Sequence, residues 1–309
     1  MNTRKSVILA LTGALLTALS GCASITSFSN PLAGKHDDLY DQQSKLVHEA
    51  GRHSEGTAEQ ALARGDEFLS QGDADRAMFE YIKAIEKDDS KSEAFYKIGA
   101  LHLARENLPL AQTAFRKALD RTANHPGALE GLGLIQLRQR QYAPAKENLS
   151  LVLTSDPNRW QAHNGLGVIA DLEKQYDRAA AHYQQALRIR PDQPLVLNNL
   201  GYSSYLRGDR KVARQYLEQA LRHDPNYPLA WENLGLVHTR RGDYAAAKAA
   251  FMRSMSEAQA LNNIGYICML EGRYDKAEDF FKTAIELSPS YYSVAHENLR
   301  RTAALQGNL

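Results

Sequence analysis

Residues 194–227 read PLVLNNLGYSSYLRGDRKVARQYLEQALRHDPNY, and this stretch decides the fold of the chain. Its first half contains Gly201, its second half contains Ala213, and the bulky apolar Leu217 follows this alanine four positions later. Spacings of three and four place side chains on one face of a helix. Because the pair Gly208-Asp209 between the two halves is a turn signal, the stretch predicts two helices joined by a short turn.

The same pattern recurs along the chain at a fixed step. Six glycines stand at equal steps of 34 and a seventh follows after a step of 30: Gly65, Gly99, Gly133, Gly167, Gly201, Gly235 and Gly265. An alanine stands at the twelfth position after each of them, at Ala77, Ala111, Ala145, Ala179, Ala213, Ala247 and Ala277. One helix pair cannot bury its apolar stripe alone, so neighbouring pairs must stack and share a core. The sequence therefore predicts an all-α solenoid.

A bulky apolar side chain follows each alanine at the fourth position, at Tyr81, Phe115, Leu149, Tyr183, Leu217, Phe251 and Phe281. We expect the glycine and the alanine to allow close approach of the two helices, and the bulky side chain to fill the space between neighbouring repeats. Prolines such as Pro157 and Pro225 mark the junctions, because proline ends one helix and fixes the approach to the next.

This signature, with its regular period, resembles the tetratricopeptide repeat family. The resemblance implies a right-handed superhelical solenoid of about seven helix pairs. On its landmarks, repeats 1 to 7 cover 58–91, 92–125, 126–159, 160–193, 194–227, 228–257 and 258–291. Repeat 6 is four residues short, so we expect repeat 7 to pack against it with an altered pitch.

The ends of the chain differ from the repeats. Residues 292–309 predict a capping helix and a tail, because Val294 and Leu299 stand there among many polar residues and would close the core against water. Residues 22–57 predict a tether that begins at a lipid-bearing cysteine and includes a short amphipathic helix at 38–50.

Residues 1–21 predict a lipoprotein signal peptide. Arg4 and Lys5 precede an apolar run over 7–19, which is too short to span a bilayer comfortably. Residues 19–22, Leu-Ser-Gly-Cys, resemble the bacterial lipobox, which implies cleavage before Cys22 and acylation of this cysteine. Several acyl chains would give a lasting anchor. The alternative is an ordinary secretory cleavage site next to an unrelated cysteine.

Ala23 follows the predicted lipid-bearing residue. In the enterobacterial pattern an aspartate at this place retains a lipoprotein in the inner membrane, so the resemblance implies the cell envelope and, in a cell with two membranes, the periplasmic face of the outer membrane. The second cysteine, Cys268, falls on the apolar face of a predicted helix. We expect it to be a small core side chain, without a disulfide partner.

The sequence contains no recognisable catalytic or cofactor motif. Ten histidines are scattered, and there is no HExxH, CxxC, glycine-rich phosphate loop or GxSxG. The pair His223-Asp224 is best explained as a turn. Since 37 Lys and Arg are mixed with 36 Asp and Glu, no basic face for nucleic acid is predicted. We therefore expect a protein that binds other proteins, with no catalysis, cofactor, metal or nucleic acid.

In the tetratricopeptide family the first helix of each pair lines a concave groove. The resemblance implies partner contacts there, and the candidates are Asn164, Asp171, Asn198, Asn199, Tyr202, Tyr205, Asn233, Asn262, Asn263, Tyr266 and Met269. A row of amides can hydrogen-bond an extended peptide backbone, and the tyrosines suit interface hot spots. If so, alanine at Asn199, Asn233 and Asn263 would leave stability nearly unchanged. The alternative is that the amides bond one another within the array.

The C-terminal block suggests a system. Residues 262–270, NNIGYICML, and 286–291, ELSPSY, resemble the TadD-type lipoproteins of tight-adherence (Flp) pilus assembly, which combine a lipobox, tetratricopeptide repeats and a final NNxGY repeat. The resemblance implies a role in assembling or localising the outer-membrane secretin through which the pilus passes. Pilotin lipoproteins of type IV pili and adaptors of peptidoglycan hydrolases remain alternatives. An enzyme or sugar-binding protein would need an added domain or a charged pocket, and the sequence shows neither.

Overall fold

The computed structural model describes residues 56–288 and 293–307. Within these residues the chain forms fifteen helices and no strand, so the predicted all-α fold is confirmed. Cys22, the signal peptide, the tether and the predicted helix at 38–50 lie outside the described residues.

The helices follow one another in pairs. In chain order they are α1 (Ala58–Ser70), α2 (Ala74–Lys87), α3 (Ser92–Ala104), α4 (Leu108–Arg121), α5 (Pro126–Arg138), α6 (Tyr142–Ser155), α7 (Trp160–Leu172), α8 (Tyr176–Ile189), α9 (Pro194–Arg207), α10 (Arg210–His223), α11 (Pro228–Arg241), α12 (Tyr244–Phe251), α13 (Glu257–Leu270), α14 (Tyr274–Glu286) and α15 (Ser293–Gln306). Odd numbers up to α13 are therefore the first helices of repeats 1 to 7, and even numbers are the second helices.

Helix ends coincide with the sequence signals. Pro126, Pro194 and Pro228 stand in the first turn of α5, α9 and α11, where a missing N–H costs nothing. Helix α13 begins with a capping box in which Ser256 Oγ accepts the Gln259 N–H at 3.3 Å, while Gln259 Oε1 accepts the Ser256 N–H at 3.0 Å. These local interactions fix where the helices begin.

The turn inside each repeat requires one residue in the left-handed conformation. Repeats 1, 5, 6 and 7 place glycine there, at Gly72, Gly208, Gly242 and Gly272, with φ of 81°, 98°, 79° and 73°. Repeats 2 to 4 use Glu106, Arg140 and Lys174 instead, with φ of 57°, 62° and 60°. A side chain in this region crowds the backbone at a cost of roughly 1–2 kcal/mol, which glycine avoids.

Replacing Glu106 with glycine should therefore stabilise the protein by about 1 kcal/mol, in spite of the greater freedom of glycine in the unfolded chain. Chemical denaturation measures the effect. The matched control is Gly208→Ala, at the same place in repeat 5, where an added Cβ would meet no atom within 4 Å. This control should lose about 1 kcal/mol through the backbone alone. A destabilised Glu106→Gly variant would contradict the prediction.

The described residues divide into two compact units: the N-terminal half, 56–169, and the C-terminal half, 170–288 with 293–307. Within each half, the two helices of a repeat pack against each other, and the second helix also packs against the first helix of the next repeat. First helices of adjacent repeats contact each other as well, as α3 does with α5 and α9 with α11. Each half thus has a continuous core.

The expected pairing of glycines with bulky side chains is confirmed. All seven bulky residues are at most 1% exposed. In the N-terminal half, a Cβ added at Gly99 would lie 2.6 Å from the Phe115 ring, and one added at Gly131 of the next repeat would lie 2.4 Å from it. The ring therefore occupies a slot between two repeats that exists only because both walls are glycine.

Repeat 6 differs from its neighbours in its second helix. Helix α12 has 8 residues, whereas α10 and α14 have 14 and 13. It ends at Phe251, and a turn of five residues leads to α13. The helix is six residues shorter than α10, so the four-residue deficit of the repeat falls on its second helix. The altered pitch of repeat 7 stays a prediction.

Helix α15 packs on the last repeat at residues other than the expected ones. Val294, which was expected to face the core, is 51% exposed. The neighbouring Ala295 is fully buried instead and packs with Leu261 and Ala284. Leu299 is half-buried, as expected, against the core of repeat 7. Ala295 and Leu299 are four residues apart and share the packed face of the helix, so Val294 lies on another face.

Candidate partner-binding face

All candidate groove residues lie on first helices. Asn164 and Asp171 are on α7, Asn233 is on α11, and the others belong to α9 and α13. Asn164 belongs to the N-terminal half, and the rest belong to the C-terminal half. Since α9, α11 and α13 contact each other in succession, residues one repeat apart come side by side in the C-terminal half.

Several of the asparagines bond to one another across repeats. Asn233 Nδ2 donates to Asn198 Oδ1 at 2.9 Å, and both residues are 1% exposed. Asn198 Nδ2 in turn donates to Asn199 Oδ1 at 3.4 Å. At the end of the array, Asn298 of α15 donates to Asn262 Oδ1 at 3.0 Å. The amides therefore join α9 to α11, and α13 to α15.

This arrangement corrects one expectation about the row of amides. Alanine at Asn233 would leave the buried Asn198 Oδ1 without its donor, and a buried group that loses its partner costs about 1–3 kcal/mol. The triple alanine variant would thus lose stability. The bonding of amides within the array, one of the two alternatives, occurs at Asn198, Asn233 and Asn262. Peptide binding by these residues stays a prediction.

The candidates on α13 differ in accessibility. Asn263 and Tyr266 are half-buried, and Asn263 Nδ2 lies 3.3 Å from Met255 Sδ. Met269 is 2% exposed and belongs to the core cluster around Phe281. Asn263 and Tyr266 therefore have the surface that a partner could contact, whereas Met269 lies in the core, and its contact with a partner stays a prediction.

The two tyrosines of α9 form an aromatic group with a cation. The rings of Tyr202 and Tyr205 stack with centroids 6.0 Å apart, and the Arg240 guanidinium lies 4.9 Å from the Tyr205 centroid. Arg240 Nε also lies 3.7 Å from Glu271 Oε1. Burial raises the pKa of both tyrosines, so their hydroxyls stay protonated. Aromatic, cation and carboxylate are thus linked from repeat 5 to repeat 7.

Arg273 follows the turn glycine Gly272 and was not among the site residues predicted from the sequence. Its Nη1 donates to Tyr244 Oη at 2.8 Å, and its Nη2 donates to the Thr239 carbonyl at 3.1 Å and to the Glu271 carboxylate. A signal was available, because the residue after the turn glycine is aspartate in repeats 1, 5 and 6 and arginine only here. The arginine clamps repeat 7 onto repeat 6.

Asp171 is buried, with 3% of its surface exposed. Its Oδ2 accepts the Tyr183 hydroxyl at 2.8 Å, and its Oδ1 accepts the Ser203 hydroxyl at 2.6 Å. The carboxyl therefore joins α7 to α8 and α9. Neither hydroxyl was identified from the sequence as its partner, although Ser203 stands nearly one repeat period further along the chain.

The other chemically distinctive groups lie in the core or apart from one another. Cys268 is fully buried, as expected, and burial raises the pKa of its thiol, which makes it unreactive. Within 56–288 and 293–307, no group of three or more His, Cys, Asp or Glu is placed to hold a metal ion. No helix in these ranges has the length and apolar character needed to cross a membrane.

Comparison with known families gives matches along most of the repeats. One tetratricopeptide repeat profile matches residues 258–291, and a second matches 62–128, 96–145, 130–194 and 199–255. Together these segments cover more than half of the 309 residues. No curated protein sequence matches the chain.

Solved structures with a similar fold include three that cover most of the chain. Pseudomonas aeruginosa PilF has a TM-score of 0.52 at 21% identity, over 70% of this chain and 98% of that one. A tetratricopeptide repeat protein from Parabacteroides merdae has a TM-score of 0.52 at 17% identity, over 80% of this chain and 98% of that one. The APC/C hetero-tetramer Cut9–Hcn1 has a TM-score of 0.58 at 16% identity, over 89% of this chain and 57% of that one. At these identities the likeness concerns the fold alone.

Proposed function

Because the chain belongs to the tetratricopeptide repeat family, whose members are generally scaffolds for protein–protein interaction, we propose that it is a lipid-anchored adaptor of the cell envelope without catalytic activity. We propose further that it helps to assemble or localise the secretin of a tight-adherence (Flp) pilus machine at the periplasmic face of the outer membrane. The adaptor function is the broader proposal, and the pilus system is one case of it.

One observation carries the adaptor function, namely the side-by-side packing of α9, α11 and α13. It sets the first helices of repeats 5 to 7 in one row, in which Tyr202 and Asn233 are buried and Tyr266 is half-buried. A row of helices with this period can follow a partner segment of several residues, and the half-buried Tyr266 can supply rigid contact area at a small entropic cost. This fits protein binding better than chemistry on a small substrate.

Support for the pilus system comes from the sequence. The final repeat carries the NNxGY pattern at 262–266, and Cys22 stands in a lipobox-like context. The likeness to Pseudomonas aeruginosa PilF extends over 98% of that chain, and at the level of the fold it is compatible with a pilus-related role. An adaptor of peptidoglycan hydrolases would need the same scaffold, so the experiment must identify the partner.

The test is a crosslinking pull-down of the tagged full-length protein from native membranes, with the bound proteins identified by mass spectrometry. Recovery of a secretin together with other pilus-assembly proteins supports the pilus system. Recovery of peptidoglycan hydrolases alone replaces it with a cell-wall adaptor. If no protein is enriched over a control tagged at the same level, the adaptor function itself is contradicted.

A variant of α13 tests whether its accessible residues contact the partner. Asn263→Ala combined with Tyr266→Ala should reduce capture of the partner about tenfold or more, since a tyrosine at an interface often contributes about 2 kcal/mol or more. Tyr274→Ala is the matched control, because Tyr274 is equally half-buried against the same core cluster but lies on the second helix α14. Equal losses of capture in both variants would show that destabilisation, and not contact, is responsible.

A further inference from the structure

The buried carboxyl of Asp171 has neutral hydrogen-bond partners. It accepts one hydroxyl from α8, at Tyr183, and one from α9, at Ser203, with distances of 2.8 and 2.6 Å. Among the residues that the structure describes, no lysine, arginine or histidine forms an ion pair with it. A buried charge without a partner of opposite sign is costly, because hydroxyl dipoles replace only part of the lost hydration.

The groups that face Asp171 from the neighbouring helices are tyrosines. Tyr176 and Tyr183 approach from α8, and Tyr202 approaches from α9. Burial raises the pKa of all three above the ordinary value of 10, so each is neutral over the physiological range. On its own segment, Glu173 and Lys174 follow in the turn after α7. Of Asp171 and these three tyrosines, Asp171 alone can therefore change its charge between pH 4 and 8.

Burial raises the pKa of the Asp171 carboxyl to about 6, against the effect of the Ser203 and Tyr183 hydroxyls, which lower it. An unfolded aspartate has a pKa of about 3.9. The folded chain therefore takes up a proton relative to the unfolded chain between these two values. Stability from this group is fully present at pH 4 and is lost as the pH rises through about 6.

Ser203 can accommodate the proton. A protonated carboxyl must donate to an acceptor, and Ser203 Oγ, 2.6 Å away, is in position if its own proton turns elsewhere. Two other hydroxyls of the same half donate to the backbone carbonyl four residues earlier, and the Ser203 hydroxyl can do the same. Ser204 donates to the Leu200 carbonyl at 2.8 Å, and Thr239 donates to the Gly235 carbonyl at 2.8 Å. For Ser203 the equivalent acceptor is the carbonyl of Asn199.

We propose that Asp171, Ser203 and Tyr183 form a proton-operated latch, which takes up one proton at mildly acidic pH and then holds α7, α8 and α9 together more tightly than in its ionised state. On protonation, the carboxyl O–H donates to Ser203 Oγ and the serine proton turns to the Asn199 carbonyl. The Tyr183 hydroxyl continues to donate to Asp171 Oδ2. The latch does not depend on the identity of the partner or on the lipid anchor.

The test compares the full-length chain with Asp171→Asn by chemical denaturation from pH 4.5 to 8. Asparagine has the shape of the protonated carboxyl and can donate to Ser203 in the same way. Relative to the wild type, the folding equilibrium constant of the variant should rise by roughly 25-fold between pH 4.5 and 8, most of it below pH 6.5. Asp177→Asn is the matched control, because Asp177 is an exposed carboxylate of α8 that pairs with Arg207, and its effect should vary far less with pH.

A direct readout is the carboxyl carbon of Asp171 in the NMR spectrum of aspartate-labelled protein, assigned by its loss in Asp171→Asn. The resonance should titrate near pH 6, and Ser203→Ala should move the midpoint upward, because the ionised form loses a donor. A midpoint near 4, or a stability difference between wild type and Asp171→Asn that does not change with pH, overturns the proposal.

Discussion

Replacing Phe115 with alanine should lower the free energy of unfolding of the N-terminal half by about 3–5 kcal/mol. The ring is 1% exposed and lies between the backbones of Gly99 and Gly131, which belong to consecutive repeats. Alanine would remove the ring from both contacts at once. The rigid helices cannot close the gap completely, so a cavity adds to the lost transfer energy. Chemical denaturation followed by circular dichroism measures the change.

The N-terminal half offers a matched control in Phe79, a phenylalanine of α2 that is 36% exposed. Phe79→Ala should change stability by less than about 1 kcal/mol. The ring lies at the surface, so water can fill the space that it leaves and no closed cavity forms. If Phe115→Ala costs no more than this control, the ring does not join the two repeats. Such a result would contradict the slot described above.

The same slot predicts an effect from the opposite side. Gly131→Ala adds a Cβ that would lie 2.4 Å from the Phe115 ring, so the ring or a helix must move. Overpacking of this kind costs about 1–3 kcal/mol. Phe115→Leu should relieve part of this cost, since the equivalent slot of the next repeat holds Leu149 between Gly133 and Gly165. A double-mutant cycle isolates this coupling.

This packing was predictable from the sequence because it repeats. A glycine and, at a constant distance after it, a bulky residue occur in every repeat, so the pairing of Gly99 with Phe115 follows from the helix period and a short turn. The short sixth repeat was predictable for the same reason, since four residues are missing from an otherwise regular count, whereas the shortening of α12 itself was not. Features that obey the period can be read from one chain alone.

The candidate site was less predictable because its contacts depend on the ends of side chains. The sequence places Asn198 and Asn233 on first helices, but a separation of about one repeat does not say whether the amides meet each other or a partner. The structure brings them to 2.9 Å. Arg240 and Glu271 escaped notice because long side chains can reach several neighbours, and helical phase does not select one.

The burial of the candidates within the first helices was not predictable from the sequence. Asp171 and Met269 were assigned to a groove from their positions after the repeat glycine, yet they are 3% and 2% exposed. Asn198 and Asn233 stand earlier in their first helices and are 1% exposed, so the packing of neighbouring helices covers those positions as well. Helical phase gives the direction of a side chain, and only the neighbouring elements determine its burial.

Replacing Cys22 with serine should abolish acylation, and with it the lasting attachment of the mature protein to the membrane. Each buried methylene of an acyl chain contributes about 0.8 kcal/mol, so loss of several chains changes the partition between membrane and water by many orders of magnitude. Mass spectrometry of the N-terminal peptide shows whether lipid is present. Cys268→Ser is the matched control, because this fully buried cysteine is part of the core and the variant should stay lipidated.

An uncleaved signal peptide could itself hold the Cys22→Ser protein at the membrane, so a second variant is needed. Exchanging residues 1–22 for a cleavable secretory signal without cysteine should release the protein into the soluble periplasmic fraction. The repeats and α15 are unchanged, so the released protein should unfold at the temperature of the wild type. If it still sediments with membranes, the lipid is not the anchor. If it is released and still captures the same partners, the anchor localises the scaffold, whereas binding resides in the repeats.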